Sequence, residues 1–482
     1  TYDNGCAMVD SDLYGGEEGG SDIEDSWFTT ANAIDLSANS NVVLQFETWY
    51  KAYSSEKCFI VTSTNNMDWP ELTPDFDAST NTNVYELFEG ISDMTTNPTE
   101  WAVNISPSAG GESQVWVRFH WTGTWGYSWL VDDVVILDQP ADDIILKSAW
   151  ASSYGSSEYG RTPVSQLADS LVFGGDIFNF GINDQTNVEL AISVTDASGS
   201  DVLNKTISHG VLSADSLTFL NSIEKVTLSE GVYTLNAIAT SDAEQNGANF
   251  DNNSYSREFE ITDNLYSLDG IGVYDDAILS LSTLGTSTEY NGNVFMTRYT
   301  ILEETTIVGL EIALSSSTNE GGQIFPFLLP ESALLNDDGS LDQSADVFTD
   351  RIAENQDGVM VTAWHVENNI IYTALESTTL LPGTYYACAE LYSAGGEDDR
   401  LTLLNDETVW QPYYASLYYS TDADEVYTNG TATAIRLAIG DYVGLEEEVN
   451  KALFSVSPNP SNGIFTVTAN NADNYTLEVI NV

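Results

Sequence analysis

Gln114-Val-Trp-Val-Arg-Phe-His-Trp121 and Ser128-Trp-Leu-Val-Asp-Asp-Val-Val-Ile-Leu137 decide the fold class. The first stretch alternates apolar and polar residues with the period of two expected of a strand with one buried face. The second is apolar on both faces and reads as a central strand. Upstream, Asn41-Val-Val-Leu-Gln-Phe-Glu-Thr-Trp-Tyr50 supplies another strand with an apolar face. Outward from these, short runs rich in Val, Ile, Thr, Tyr, Phe and Trp alternate with Gly, Asn, Asp and Ser clusters along nearly the whole chain. No long amphipathic helix and no short-period repeat interrupts them. This pattern predicts an all-β protein of tandem sandwiches rather than a barrel or an α/β fold. Tryptophan concentrates in the first segment, which predicts a heavily aromatic core there.

A length of 482 residues predicts three or four domains. No run approaches the ~18 apolar residues of a spanning helix. The chain begins with neither Met nor a basic, apolar leader, so it reads as a mature form or a fragment. Thirteen Lys and Arg face 74 Asp and Glu, for a formal charge of −61. Such a surface repels nucleic acid and anionic lipid, and it can hold hard cations through carboxylate oxygens. Of the three cysteines, Cys6 and Cys58 fall in one segment and could pair outside the cell. Cys388, within the strand-like Tyr385-Tyr-Ala-Cys-Ala-Glu-Leu391, reads as a buried free thiol.

Three stretches resemble known families. Residues 1–138 resemble the MAM-like jelly rolls of bacterial surface proteins, the choice-of-anchor J and cleaved-adhesin group. The matching stretches are Ala7-Met-Val-Asp-Ser-Asp-Leu-Tyr-Gly15, Thr29 to Ser37 leading into Val43-Leu-Gln-Phe46, Val115 to Phe119, and Trp129 to Ile136. Residues 139–263 resemble CARDB-type immunoglobulin-like spacers, through Phe173 to Gly181, Val188 to Val194, Gly231 to Ile238 and Asp251-Asn-Asn-Ser254. Residues 264–443 read as a further, jelly-roll-like sandwich without a family. After the acidic linker 444–449 come Phe454-Ser-Val-Ser-Pro-Asn-Pro-Ser-Asn-Gly463 and Phe465-Thr-Val467. This is the sharpest motif of the chain and resembles the start of the type A sorting domain of the type IX secretion system. Phe454 and Val456 lead a strand into Pro458-Asn459-Pro460, whose rings fix φ; Gly463 permits the turn toward Phe465. The resemblance implies a Bacteroidota-type route to the cell surface after signal-peptide removal. The partners it implies are the type IX translocon and its outer-membrane shuttle and sortase components. The family's domain continues past this point, so residues 444–482 are expected to be an incomplete tail.

The candidate chemistry is a cation site. Asp10 and Asp12 lie in a Gly-bordered turn, while Asp132 and Asp133 sit in the strand read as apolar on both faces. Burying a carboxylate there is unfavourable without a cation or donor. MAM-like domains commonly carry structural Ca²⁺, so the resemblance points the same way. The bland alternative, of equal weight, is that the strand ends at a wet rim. The cluster Asn336-Asp-Asp-Gly-Ser-Leu-Asp342 with Asp346 departs from EF-hand spacing and reads as a solvated loop. Aromatic clusters at Trp410 to Tyr419, and at Trp121, Trp125, Tyr127 and Trp129, could stack on sugars but read first as core. No catalytic constellation is present: His120, His209 and His365 lie in separate segments, and Ser54-Ser-Glu-Lys57 lacks companion motifs. The sequence therefore reads as a non-enzymatic surface protein, an adhesin or a subunit of an extracellular assembly, which binds surface glycans or other copies of itself. The alternatives are an accessory region of a larger secreted peptidase or glycosidase, and a carbohydrate-binding module.

Overall fold

The computed structural model describes residues 5–11, 23–52, 56–89, 95, 97–123, 126–152, 159–245, 250–271, 281–286, 290–336, 338–395, 399–406, 414–428, 431–440, 454–457 and 466–469. The protein is nearly all β, built from stacked antiparallel sheets.

The strands of the first sandwich are β1 (Ala7–Asp10), β2 (Glu24–Thr29), β3 (Val42–Lys51), β4 (Lys57–Ser63), β5 (Val84–Leu87), β6 (Thr99–Asn104), β7 (Trp116–Gly123) and β8 (Ser128–Asp138). They form two sheets, β1-β8-β3-β6 and β2-β7-β4-β5. Alternation does what the sequence predicts. Val117, Phe119 and Trp121 of β7 face inward and pack with Leu44, Phe46 and Trp129. The Trp129 indole, buried in that core, donates to Thr48 Oγ1 at 3.0 Å, so its polar edge is satisfied.

The β8 expectation needs correction. The strand is central only where both β1 and β3 flank it, along Ser128–Val131. Beyond β1 its outer residues Val134, Val135 and Leu137 are exposed. The β3–β8 register shifts between Gln45 and Glu47, opposite Asp132 to Val135. Asp133 there takes φ +47°, the left-handed conformation that Asp tolerates better than most residues. The Asp132-Asp133 pair therefore marks a β-bulge rather than the middle of a doubly buried strand.

The second sandwich comprises β9 (Ile144–Ser152), β10 (Arg161–Pro163), β11 (Leu171–Asn179), β12 (Gln185–Asp196), β13 (Asp201–Leu212), β14 (Ser216–Glu224), β15 (Gly231–Thr240) and β16 (Ser254–Thr262). Its sheets, β10-β16-β15-β12-β13 and β14-β11-β9, enclose Phe173, Ile192, Leu235 and their neighbours. The following region carries β17 (Leu265–Tyr266), β18 (Leu281–Thr286), β19 (Asn293–Ile301), β20 (Thr305–Ala313), β21 (Gln323–Pro330), β22 (Ala353–Glu354), β23 (Val359–Met360), β24 (Ile370–Leu380), β25 (Gly383–Tyr392), β26 (Leu401–Asp406), β27 (Ser416–Ser420), β28 (Glu425–Thr428), β29 (Ala432–Thr433) and β30 (Ile435–Ile439). Its seven-stranded sheet, centred on β25 and β19, is buried on both faces. Ala387 and Ala389 of β25 face one core, Tyr386 and Cys388 the other. Cys388 is accordingly a free, buried thiol, and burial pushes its pKa up. Cys6 and Cys58 are also free, so the pairing open to them is not formed.

The second and third regions are stitched together. Arg161 and Ser267 exchange backbone hydrogen bonds of 3.1 and 3.0 Å, and the Gln166 side-chain Oε1 accepts from the Leu302 and Glu303 amides. Toward the end of the chain, β31 (Phe454–Ser457) pairs antiparallel with β32 (Thr466–Ala469). No helix among the described residues is long and apolar enough to cross a membrane.

Candidate functional site on the outer face of the first sandwich

The four acids expected to share a cation are not brought together. Asp10 pairs with Ser128 across the β1–β8 ladder, whereas Asp132 pairs with Glu47. Four residues of strand separate these positions, roughly 13 Å. Asp132 Oδ1 accepts from the Asp133 amide at 2.9 Å, while its Oδ2 is buried without a partner. Asp133 is exposed and Asp12 lies outside the described residues. These positions do not fit a single calcium shell. The acidic loop of the third region behaves as its bland reading expects. Asp338, Asp342 and Asp346 accept from the amides of Ser340, Ser344 and Phe348, closing local turns over the second core. Trp410 and Trp125 lie outside the described residues, as do Pro458, Asn459, Pro460, Gly463 and Phe465; Phe454 and Val456 lie on the β31 hairpin strand. Trp121 and Trp129 are core, and Tyr127 lies under the Lys51 ammonium at 4.3 Å.

A different cluster emerges on the opposite face of the same β7. With Val117, Phe119 and Trp121 turned inward, alternation sends Arg118, His120 and Thr122 outward. The β2–β7 ladder sets Asp25 opposite Thr122, Trp27 opposite His120 and Thr29 opposite Arg118. On the β4 side, Phe59, Val61 and Val84 are roofed by Trp69, Leu72 and Phe76 from the segment between β4 and β5. This roof covers the β4 half of the sheet face, while Asp25 and Trp27 on the β2 half are exposed.

At the border between the halves the Arg118 guanidinium lies 3.8 Å from the Trp69 ring and 4.9 Å from Trp27. Cation–π attraction and a bond from Arg118 Nε to Thr29 Oγ1 at 3.0 Å fix it there. Trp27 is 50% exposed, unusual for so large an indole, and presents a flat apolar plate. His120, only 3% exposed, lies beneath it with ring centroids 5.4 Å apart. Its Nε2 meets Asp25 Oδ1 at 2.5 Å, so Nδ1 carries the lone pair of the neutral ring. That Nδ1 and the Thr122 hydroxyl are both buried without partners. The β2 half of the face therefore offers a stacking plate, a fixed guanidinium and a half-exposed carboxylate, with the His120 Nδ1 and Thr122 hydroxyl buried beneath them. Such a set binds polar ligands with flat apolar faces.

Burial holds the His120 pKa below its ordinary 6.5, with Asp25 acting in the opposite direction. The unfolded chain then binds the proton more readily than the folded one. This contribution to stability is fully present above about pH 6.5 and is lost as pH falls toward the folded value. The melting temperature of the first sandwich is expected to fall from pH 7.5 to pH 5, and His120→Gln is expected to flatten that slope. An unchanged slope in the variant would remove His120 as its cause.

Similarity to solved structures is low. A CARDB domain from Pyrococcus furiosus, described in complex with di-metal ions, aligns over 25% of this chain and 89% of its own, at 16% identity and a TM-score of 0.18. A calcium-binding mutant of Bacteroides uniformis beta-glucuronidase 2 aligns over 53% of this chain and 28% of its own, at 10% identity and a TM-score of 0.29. Beta-D-mannosidase from Dictyoglomus thermophilum aligns over 50% and 29%, at 9% identity and a TM-score of 0.24. The chain spans less than a third of the length of these glycosidases. No family model matches the chain, and no curated protein does. These likenesses carry no functional assignment.

Proposed function

We propose that the chain is a secreted, non-enzymatic surface protein, an adhesin or a subunit of an extracellular assembly, whose first sandwich holds glycan on the open sheet face. The half-exposed Trp27, flanked by the fixed Arg118 and by Asp25, carries this reading. An indole plate stacks on the C–H face of a sugar ring while charged groups at its edge bond the hydroxyls. Export by the type IX route rests on the motif from Phe454 to Val467. The two ends of that motif lie on the paired strands β31 and β32.

The test is a glycan array, followed by titration of the best glycan against the wild-type chain and Trp27→Ala. The variant is expected to lose at least about tenfold in affinity, the equivalent of about 1.4 kcal/mol. Its unfolding free energy should fall by only about 1 kcal/mol, the size of the cation–π contact with Arg118. Equal glycan binding by both proteins, or hydrolysis of the glycan by the wild type, would sink the proposal. An accessory role beside a catalytic domain on a longer chain would use the same plate, and the gene upstream of Thr1 separates the two.

A further inference from the structure

Arg118 departs from the pattern of the other part-buried arginines. Arg161, Arg298, Arg351 and Arg436 each hold a carboxylate at 2.6 to 3.2 Å. In a chain with 74 acids that is the expected outcome. Arg118 is also part-buried, yet among the described residues no carboxylate touches it. The field of Asp25 reaches the guanidinium, but the two do not pair. A guanidinium carries five N–H groups in a fixed fork. Nε–H is taken by Thr29 Oγ1 at 3.0 Å, and the Trp69 ring lies 3.8 Å away, so the side chain is set in place before any ligand arrives. The four Nη hydrogens, at the far end of the side chain, have no partner among the described residues.

The β2–β7 ladder orders the rest of the site. Asp25, Trp27 and Thr29 alternate on one face of β2; His120 stands opposite Trp27, and Arg118 opposite Thr29. Asp25 and Thr29 are four residues apart, roughly 13 Å along the strand. The indole therefore lies between an anion at one end and a cation at the other. Asp25 is anchored through Oδ1 on His120 Nε2, and its side chain is 51% exposed, so Oδ2 is left to accept a hydroxyl. A neutral sugar stacked on Trp27 uses the plate and Asp25 but leaves the Nη hydrogens to water. A sugar that carries a carboxylate uses all three.

Resting on the glycan reading above, we propose that the Trp27 plate takes a hexuronic acid, its carboxylate accepting from both Arg118 Nη atoms and a ring hydroxyl donating to Asp25. A planar carboxylate matches the guanidinium fork in two parallel hydrogen bonds, which a hydroxyl cannot do. The formal charge of −61 sets the other limit on the ligand. At physiological salt that charge is screened beyond about 8 Å. A single acidic sugar meets the guanidinium at contact, whereas a polyanion lays many charges along the acidic surface within that distance. The ligand is therefore an isolated acidic sugar in an otherwise neutral glycan, not a densely sulfated or polyuronic chain.

The test titrates the full chain by calorimetry with matched oligosaccharides that differ in one residue: a hexuronic acid, its methyl ester, or the neutral hexose, each in the gluco and galacto configurations. The acid is expected to bind at least about tenfold tighter than its ester and its hexose, the scale of a charge-assisted pair. Arg118→Gln should erase that preference by weakening the acid alone, whereas Trp27→Ala should weaken all forms. Equal wild-type affinity for acid and ester, with Trp27→Ala weakening both, overturns the acidic ligand and leaves the glycan reading standing. Absence of binding by every form overturns the acidic ligand, and the glycan array then decides the wider reading by itself. An acid preference kept by folded Arg118→Gln overturns it too. If that variant does not fold, the comparison of acid with ester on the wild type decides.

Discussion

Arg436→Met is expected to destabilise the third region by about 3–5 kcal/mol. Arg436 is the hub of a buried ion cluster, with its side chain 12% exposed. Its Nε and Nη2 grip both oxygens of Asp269 at 2.8–3.2 Å, and its Nη1 meets Glu311 Oε1 at 2.5 Å. Asp269 is 2% exposed, and Arg161 reaches it only at 3.7 Å. Despite burial, these two carboxylates hold the guanidinium well above its ordinary pKa. Without it Asp269 keeps only the more distant Arg161 and Glu311 loses its guanidinium, so buried carboxylate charge goes under-compensated. Calorimetry of the full chain should show the midpoint of this region falling by roughly ten degrees. Adding Asp269→Asn and Glu311→Gln to Arg436→Met should restore much of the loss, because the stranded charges disappear. A loss under about 1 kcal/mol would mean that water reaches the cluster and the pair is a surface one.

Trp121→Ala should cost the first sandwich about 3–5 kcal/mol, against about 1 kcal/mol for Trp27→Ala. The two tryptophans lie on neighbouring paired strands. Trp121 is fully buried, donates to Glu24 Oε2 at 3.0 Å and packs so closely that a Cβ on Gly126 would stand 2.3 Å from its ring. Denaturant unfolding followed by circular dichroism measures both variants. Comparable losses would place Trp27 in the core and remove it as a ligand plate. The contrast separates a tryptophan that holds the fold from one that serves it.

The period-two alternation of Val117, Phe119 and Trp121 needed no structure to be read, and it correctly assigned Trp121 and Trp129 to the core. The exposed plate was not legible. Trp27 lies in Glu24-Asp-Ser-Trp-Phe-Thr29, a run with too few apolar residues to mark a strand. Its alternation of Asp25, Trp27 and Thr29 is the signal available, but its meaning comes from Arg118 and His120 across the ladder. The Asp132-Asp133 pair misled in the other direction, since a bulge is a property of two strands in register and not of one.

The sequence by itself determined the all-β class, the acidic surface and the buried face of alternating strands such as β7, because side-chain alternation and turn chemistry are local. The tertiary structure alone decided which acids are buried together, which tryptophan meets solvent and where a strand bulges. Those depend on pairing between distant strands, and in a sheet a shift of one residue exchanges the buried face for the exposed one.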